Sequence, residues 1–157
     1  MVRISALALL LALALPGCLF HRGDPLPAEP PRDFSLEVTV KGVEGWPWDG
    51  RLRFEAEGFA DYDVTFKGTT PANRRGREAV EPAAVGRAWA AAAAAGVFDL
   101  PPVLRDGPEA PLLVEGRALR LDGRVRGDPA SDPRLAALLE ALRAAAPERV
   151  FRSPPTE

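Results

Sequence analysis

Chemistry in this chain would have to come from its thiols, imidazoles and carboxylates, and the first two are scarce. Cys18 is the one cysteine and His21 the one histidine in 157 residues, so neither an internal disulfide nor a site of paired Cys or His ligands can be built. A serine nucleophile needs a base beside it; the body of the chain holds no histidine, and Lys41 and Lys67 are its only lysines. Carboxylates recur at two-residue spacing as Glu55/Glu57 and Asp61/Asp63. On a strand each such pair shares one face, opposite Phe54, Ala56, Tyr62 and Val64, and that is the solvent face. A catalytic acid needs burial to shift its pKa, so these read as solvated charges; an acid pair, a weak Ca²⁺ site or a metal-dependent hydrolase using Asp61 and Asp63 is the minor alternative. Gly42, Gly45 and Gly50 lack the spacing of a phosphate-binding loop. No catalytic residue, cofactor or resident metal is expected.

Two groups of residues suit recognition instead. Trp46-Pro47-Trp48-Asp49-Gly50 lies in a glycine-rich stretch between strand patterns, where its rings either fold down to cap the sheet or form a partner-binding tip. Arg117, Arg120, Arg124 and Arg126, with Arg105 as an outlying member, could grip phosphate or carboxylate groups of an envelope polymer through their planar forks. Arginine is abundant throughout, so a plain solvated sheet edge is the simpler expectation for them.

The amino end explains the isolated cysteine. Met1-Val2-Arg3 gives a positive start, Ile4 to Leu15 an apolar run, and Leu15-Pro16-Gly17-Cys18 a small residue before a cleavage position. The run is too short for a spanning helix, which needs roughly twenty residues, and fits an export signal. Leu15-Pro16-Gly17-Cys18 resembles the lipobox of bacterial lipoproteins, with Pro16 where Ala, Ser or Thr is commoner. The resemblance implies lipidation of the Cys18 thiol, cleavage before it and acylation of the new amino group. Two or more acyl chains hold a bilayer firmly where one holds it marginally. Leu19, in place of Asp, implies the outer membrane by analogy with enteric sorting. From Leu19 to Asp33 the prolines Pro25, Pro27, Pro30 and Pro31 and the absence of apolar periodicity read as an extended tether of up to roughly 45 Å, with His21 solvated within it.

Composition sets the frame for the remainder. With 46% hydrophobic and 27% charged residues and a net charge of -2, the chain is neither disordered, collagen-like, multi-spanning nor a basic nucleic-acid binder. One globular domain is expected over residues 34–151, with a frayed tail after it. Phe34, Leu36, Val38 and Val40 alternate with polar neighbours as a half-buried strand. The runs Arg51 to Glu57 and Asp61 to Lys67 form a hairpin about Gly58, and residues 68–76 read as a loop. Glu81-Pro82 opens an alanine-rich helix that Gly96 closes, with Trp89 as its anchor on the sheet. Val97, Phe98 and Leu100 continue the core. Residues 112–126 form a meander punctuated at Glu115-Gly116 and Asp122-Gly123, the latter a hairpin signal. Ser131 or Asp132 caps a second helix whose stripe is Leu135, Leu138, Leu139 and Leu142, and Val150 and Phe151 fold back.

The order strands, helix, strands, helix predicts an α+β fold: an antiparallel sheet of five or six strands with two helices on one face. Ala95-Gly96-Val97-Phe98-Asp99-Leu100 with its flanking elements resembles a family of uncharacterised secreted or lipid-anchored bacterial domains, over roughly Phe34 to Phe151. Members of that family often carry a Cys-x-x-x-Cys-Pro hairpin start, replaced here by Trp46-Pro47-Trp48. The combined expectation is a non-catalytic, lipid-anchored envelope module for interaction or structure. Its partners are a membrane through Cys18 and an envelope protein or anionic polymer.

Overall fold

The computed structural model describes residues 25–99 and 109–152. Four strands, β1 (Ser35–Val40), β2 (Trp48–Glu55), β3 (Phe59–Phe66) and β4 (Ala72–Ala79), run as an antiparallel meander. Helix α1 (Pro82–Ala94) carries the chain back, β5 (Leu112–Ala118) pairs with the other side of β1, and β6 (Leu121–Gly127) pairs with β5. Helix α2 (Pro133–Ala145) and a 3-10 turn (Glu148–Val150) follow. The result is one six-stranded antiparallel sheet, ordered β4-β3-β2-β1-β5-β6, with the helices packed against it, as the α+β pattern predicts.

Strand alternation decides which side is covered. Leu36, Val38 and Val40, Leu52 and Phe54, Tyr62, Val64 and Phe66, and Leu112 and Val114 are all buried beneath the helices. Helix α1 starts at Pro82, whose fixed φ suits a first turn, and stops at Gly96, whose φ of +77° ends it and lets the Val97 amide reach the Ala92 carbonyl at 3.0 Å. Trp89 is its anchor, 1% exposed, set edge-on to Phe34 at 5.2 Å and tilted against Phe98 at 5.3 Å. Of the two candidate caps for α2, Asp132 is used: its carboxylate accepts from the Arg134 amide at 2.9 Å, and Leu135, Leu138, Leu139 and Leu142 face the core.

Four features depart from the sequence reading. Residues 72–79, within and beyond the expected loop, form the edge strand β4. It lacks an apolar stripe and is held by its ladder to β3 and by side chains. Tyr62 donates to Glu78 at 2.6 Å, and Arg74, stacked over Phe66 at 5.2 Å, donates to the Arg152 carbonyl at 2.8 Å and to that of Arg149.

Second, the β5–β6 hairpin turns at Leu119-Arg120, not at Asp122-Gly123, and Glu115-Gly116 lies inside β5. Gly116 and Gly123 pair across the two strands because the Val97-Phe98 segment crosses there. A Cβ on Gly123 would sit 2.1 Å from the Val97 carbonyl oxygen, and one on Gly116 would sit 2.7 Å from the Phe98 ring. These glycines serve close approach rather than turning.

Third, the expected tether is partly docked: Leu26 packs against the core and the Pro27 carbonyl accepts from Trp89 Nε1 at 2.9 Å. Fourth, β2 begins at Trp48, so three of the five residues of the expected Trp46–Gly50 loop are strand paired with β3. Cys18, His21, Leu100, Arg105 and the tail from Ser153 lie outside the described residues.

Candidate functional site

The face of the sheet away from the helices is its open side, and it is built from charge. Register aligns Arg77, Asp61, Arg53, Glu37, Glu115 and Arg124 in one row across all six strands. A second row runs Arg75, Asp63, Arg51, Thr39, Leu113 and Arg126. Opposite signs meet at most junctions. Arg77 bridges Asp61 at 3.2 Å and Glu55 at 2.8 Å, Arg53 reaches Glu55 at 3.3 Å, Arg75 Nε donates to Asp63 at 3.1 Å, and Arg124 Nε donates to Glu115 at 2.9 Å. Hydrogen bonding to Asp63, then its charge, holds the Arg75 proton more tightly than usual. Exposed pairs of this kind contribute little individually, but as a network they fix the orientation of otherwise flexible side chains.

At one point the alternation fails. Glu37 and Glu115 are direct cross-strand partners of like sign, placed between Arg53 and Arg124. They sit in a shallow depression of about 440 Å³ completed by Ser35, Arg117 and Asp122. Such a surface can exchange its internal ion pairs for those of a partner carrying both signs of charge.

The recognition candidates separate once placed. Arg117, Arg124 and Arg126 share the open face, but Arg117 stands opposite Asp122 and Arg124 is bound by Glu115, so the meander interleaves signs instead of concentrating arginine. Arg120 is in the turn, apart from them. Of the anion-gripping patch expected there, Arg117 and Arg124 face carboxylates of the same strands, while Arg126 faces Leu113. Trp46 and Trp48 are 5% and 0% exposed, packed edge-on to each other at 5.3 Å and against Phe151 at 5.2 and 5.8 Å, with Arg143 lying over Trp46. The rings cap the core and present no exposed aromatic tip; the indole N–H groups of both are buried without partners. Asp61 and Asp63 face outward as the spacing implies, each engaged by an arginine. Among the described residues no three His, Cys, Asp or Glu side chains group to hold a metal, and no helix is long and apolar enough to cross a membrane.

One device escaped the sequence reading. Leu119 and Arg120 both adopt positive φ, +54° and +62°, which costs L-residues roughly 1 kcal/mol or more each. The Asp33 carboxylate stabilises them, accepting from the Leu119 amide at 2.9 Å and the Arg120 amide at 2.8 Å. Slight burial works against ionisation of Asp33, but these backbone hydrogen bonds outweigh it and hold the carboxyl below its ordinary range. Neither Asn nor Gly occupies the turn, so no local signal marked it.

Comparison with known protein families and with characterised proteins finds nothing that matches this chain.

Proposed function

We propose that this protein is a lipid-anchored module of a bacterial envelope, acting through interaction or structure rather than catalysis, with its ion-paired sheet face as the surface offered to a partner. The observation that carries the reading is the arrangement at the amino end: a positive start, an apolar run too short to span a bilayer, and Leu15-Pro16-Gly17-Cys18 holding the chain's one thiol. The open face supports it, because its carboxylates are committed to arginines rather than held in a buried, proton-shifting environment. Of the two partner classes, a protein surface of mixed charge suits the alternating rows better than a uniformly anionic polymer.

The outer membrane is the proposed location, through Leu19 after the cysteine. Replacing Cys18 with Ala, or inhibiting the lipoprotein signal peptidase with globomycin, is expected to move the protein out of the membrane fraction. Mass spectrometry of the mature chain is expected to show an acylated residue 18 at its start. A mature chain with an unmodified terminus, or membrane fractionation unchanged by Cys18→Ala, overturns the reading.

A further inference from the structure

The two sides of the molecule differ in kind. The sheet side carries charge at most of its outward positions, whereas α1, PAAVGRAWAAAAA, has Arg87 as its one charged residue. A surface helix ordinarily turns a charged stripe to water; here the outward positions Ala90 and Ala94 are alanine. Facing them across the α1–α2 junction are Ala137 and Ala141 of α2, and together they floor an apolar groove of about 510 Å³ bordered by Arg87 and by Arg134, whose guanidinium also reaches the Asp132 carboxylate at 3.5 Å. An alanine floor with a guanidinium rim has the chemistry of a surface that lies against anionic headgroups.

The tether says which occupant reaches this face. Leu26 and Pro27 are already fixed to the domain, Pro27 by its bond to Trp89 of α1, so the chain leaves beside the helix layer. Between Cys18 and Pro25 even a fully extended backbone spans no more than about 25 Å. A domain attached to lipid at Cys18 is therefore confined near the bilayer. At the millimolar effective concentration a short tether creates, weak contacts suffice to dock it.

We infer that the α1–α2 face, with Ala90, Ala94, Ala137 and Ala141 between Arg87 and Arg134, rests on the anionic surface of the anchoring bilayer and turns the charged sheet face away from it. The inference rests on the anchored reading of Cys18, but its test does not. Residues 18–157 carrying Cys18→Ser, held to nickel-chelating lipid by a hexahistidine joined directly to residue 18, supply an anchor of the same tether length whether or not Cys18 is acylated in the cell.

In that background, environment-sensitive fluorophores are placed at Ala94→Cys, Ala137→Cys and, on the sheet face, Arg75→Cys. On phosphatidylcholine vesicles containing about one third phosphatidylglycerol, the labels at 94 and 137 are expected to brighten severalfold and to be quenched by a bilayer-embedded quencher, while the label at 75 stays in water. Pure phosphatidylcholine, or Arg87→Gln with Arg134→Gln, is expected to reduce the effect about tenfold or more. Labels at 94 and 137 as wet as that at 75 overturn the inference. So does brightening that scales with protein density and accompanies cross-links between copies, which would assign the groove to a second copy. A native Cys18 without lipid, combined with positive docking here, would instead defeat the anchoring proposal alone.

Discussion

Removing the Asp33 carboxylate tests the turn it holds. In Asp33→Ala the amides of Leu119 and Arg120 lose an ionised acceptor at 2.9 and 2.8 Å, while both residues keep their positive φ. A hydrogen bond to a charged group contributes about 1.5–3 kcal/mol when well shielded, and Asp33 is largely exposed, so water recovers much of each bond. The pair is then worth about 1–2 kcal/mol, a fall in Tm of roughly 3–8 °C for a domain of this size. Asp33 is held below its ordinary pKa in the folded state, so its contribution is complete above the unfolded value and disappears as pH falls through the folded one. Urea denaturation of both proteins from near pH 7 down to about pH 2 should show the wild-type advantage shrinking to nothing at the acid end. Arg120→Gly, which relaxes one strained residue, should reduce the cost of Asp33→Ala in a double-mutant cycle. Equal urea midpoints near pH 7, or a difference that persists unchanged in acid, would show that the carboxylate does not support the turn.

Gly123→Ala sets a Cβ against the Val97 carbonyl, a backbone atom that cannot rotate aside, and should destabilise by about 2 kcal/mol or more in urea; a loss under 0.5 kcal/mol would refute the close crossing. Trp48→Ala should cost about 3–5 kcal/mol by the same measurement, as a core residue does, whereas a stable variant that loses only a binding partner would restore the tip reading. Asp61→Asn with Asp63→Asn should shift stability by less than about 1 kcal/mol, and calorimetry of the parent with Ca²⁺, Mg²⁺ or Zn²⁺ should register no binding. Micromolar affinity for any of these ions would reopen the hydrolase alternative.

Where the sequence was legible, one interaction dominated. The first strand is readable because Phe34 to Val40 bury one face and wet the other, and both helices because Pro at the start and Gly or Leu spacing later act within a few residues. Strand β4 was hidden because its stability is borrowed: Arg74 and Arg75 read as loop chemistry until β3 supplies Phe66 and Asp63, and Arg77 has no partner in sight until Asp61 faces it. Gly123 signals a turn in isolation, and only the crossing of Val97 shows it to be a clearance. Proline-rich residues 26–33 look like free spacer because the donors that fix them, Trp89 Nε1 and the 119–120 amides, lie over sixty positions away. For the site, the outward direction of Asp61 and Asp63 followed from period two, but neutralisation of the arginines required the cross-strand register.

Strand β1 is both the first strand in the chain and one of the two innermost in the sheet, zipped on its two sides to β2 and β5. A mechanical load applied at the amino end therefore meets the Pro27–Trp89 and Asp33–turn contacts before it reaches β1, and β1 can yield only by tearing two ladders at once. The fold thus takes tension first on a detachable clasp and then on its best-secured strand, a sequence suited to a body pulled from one end.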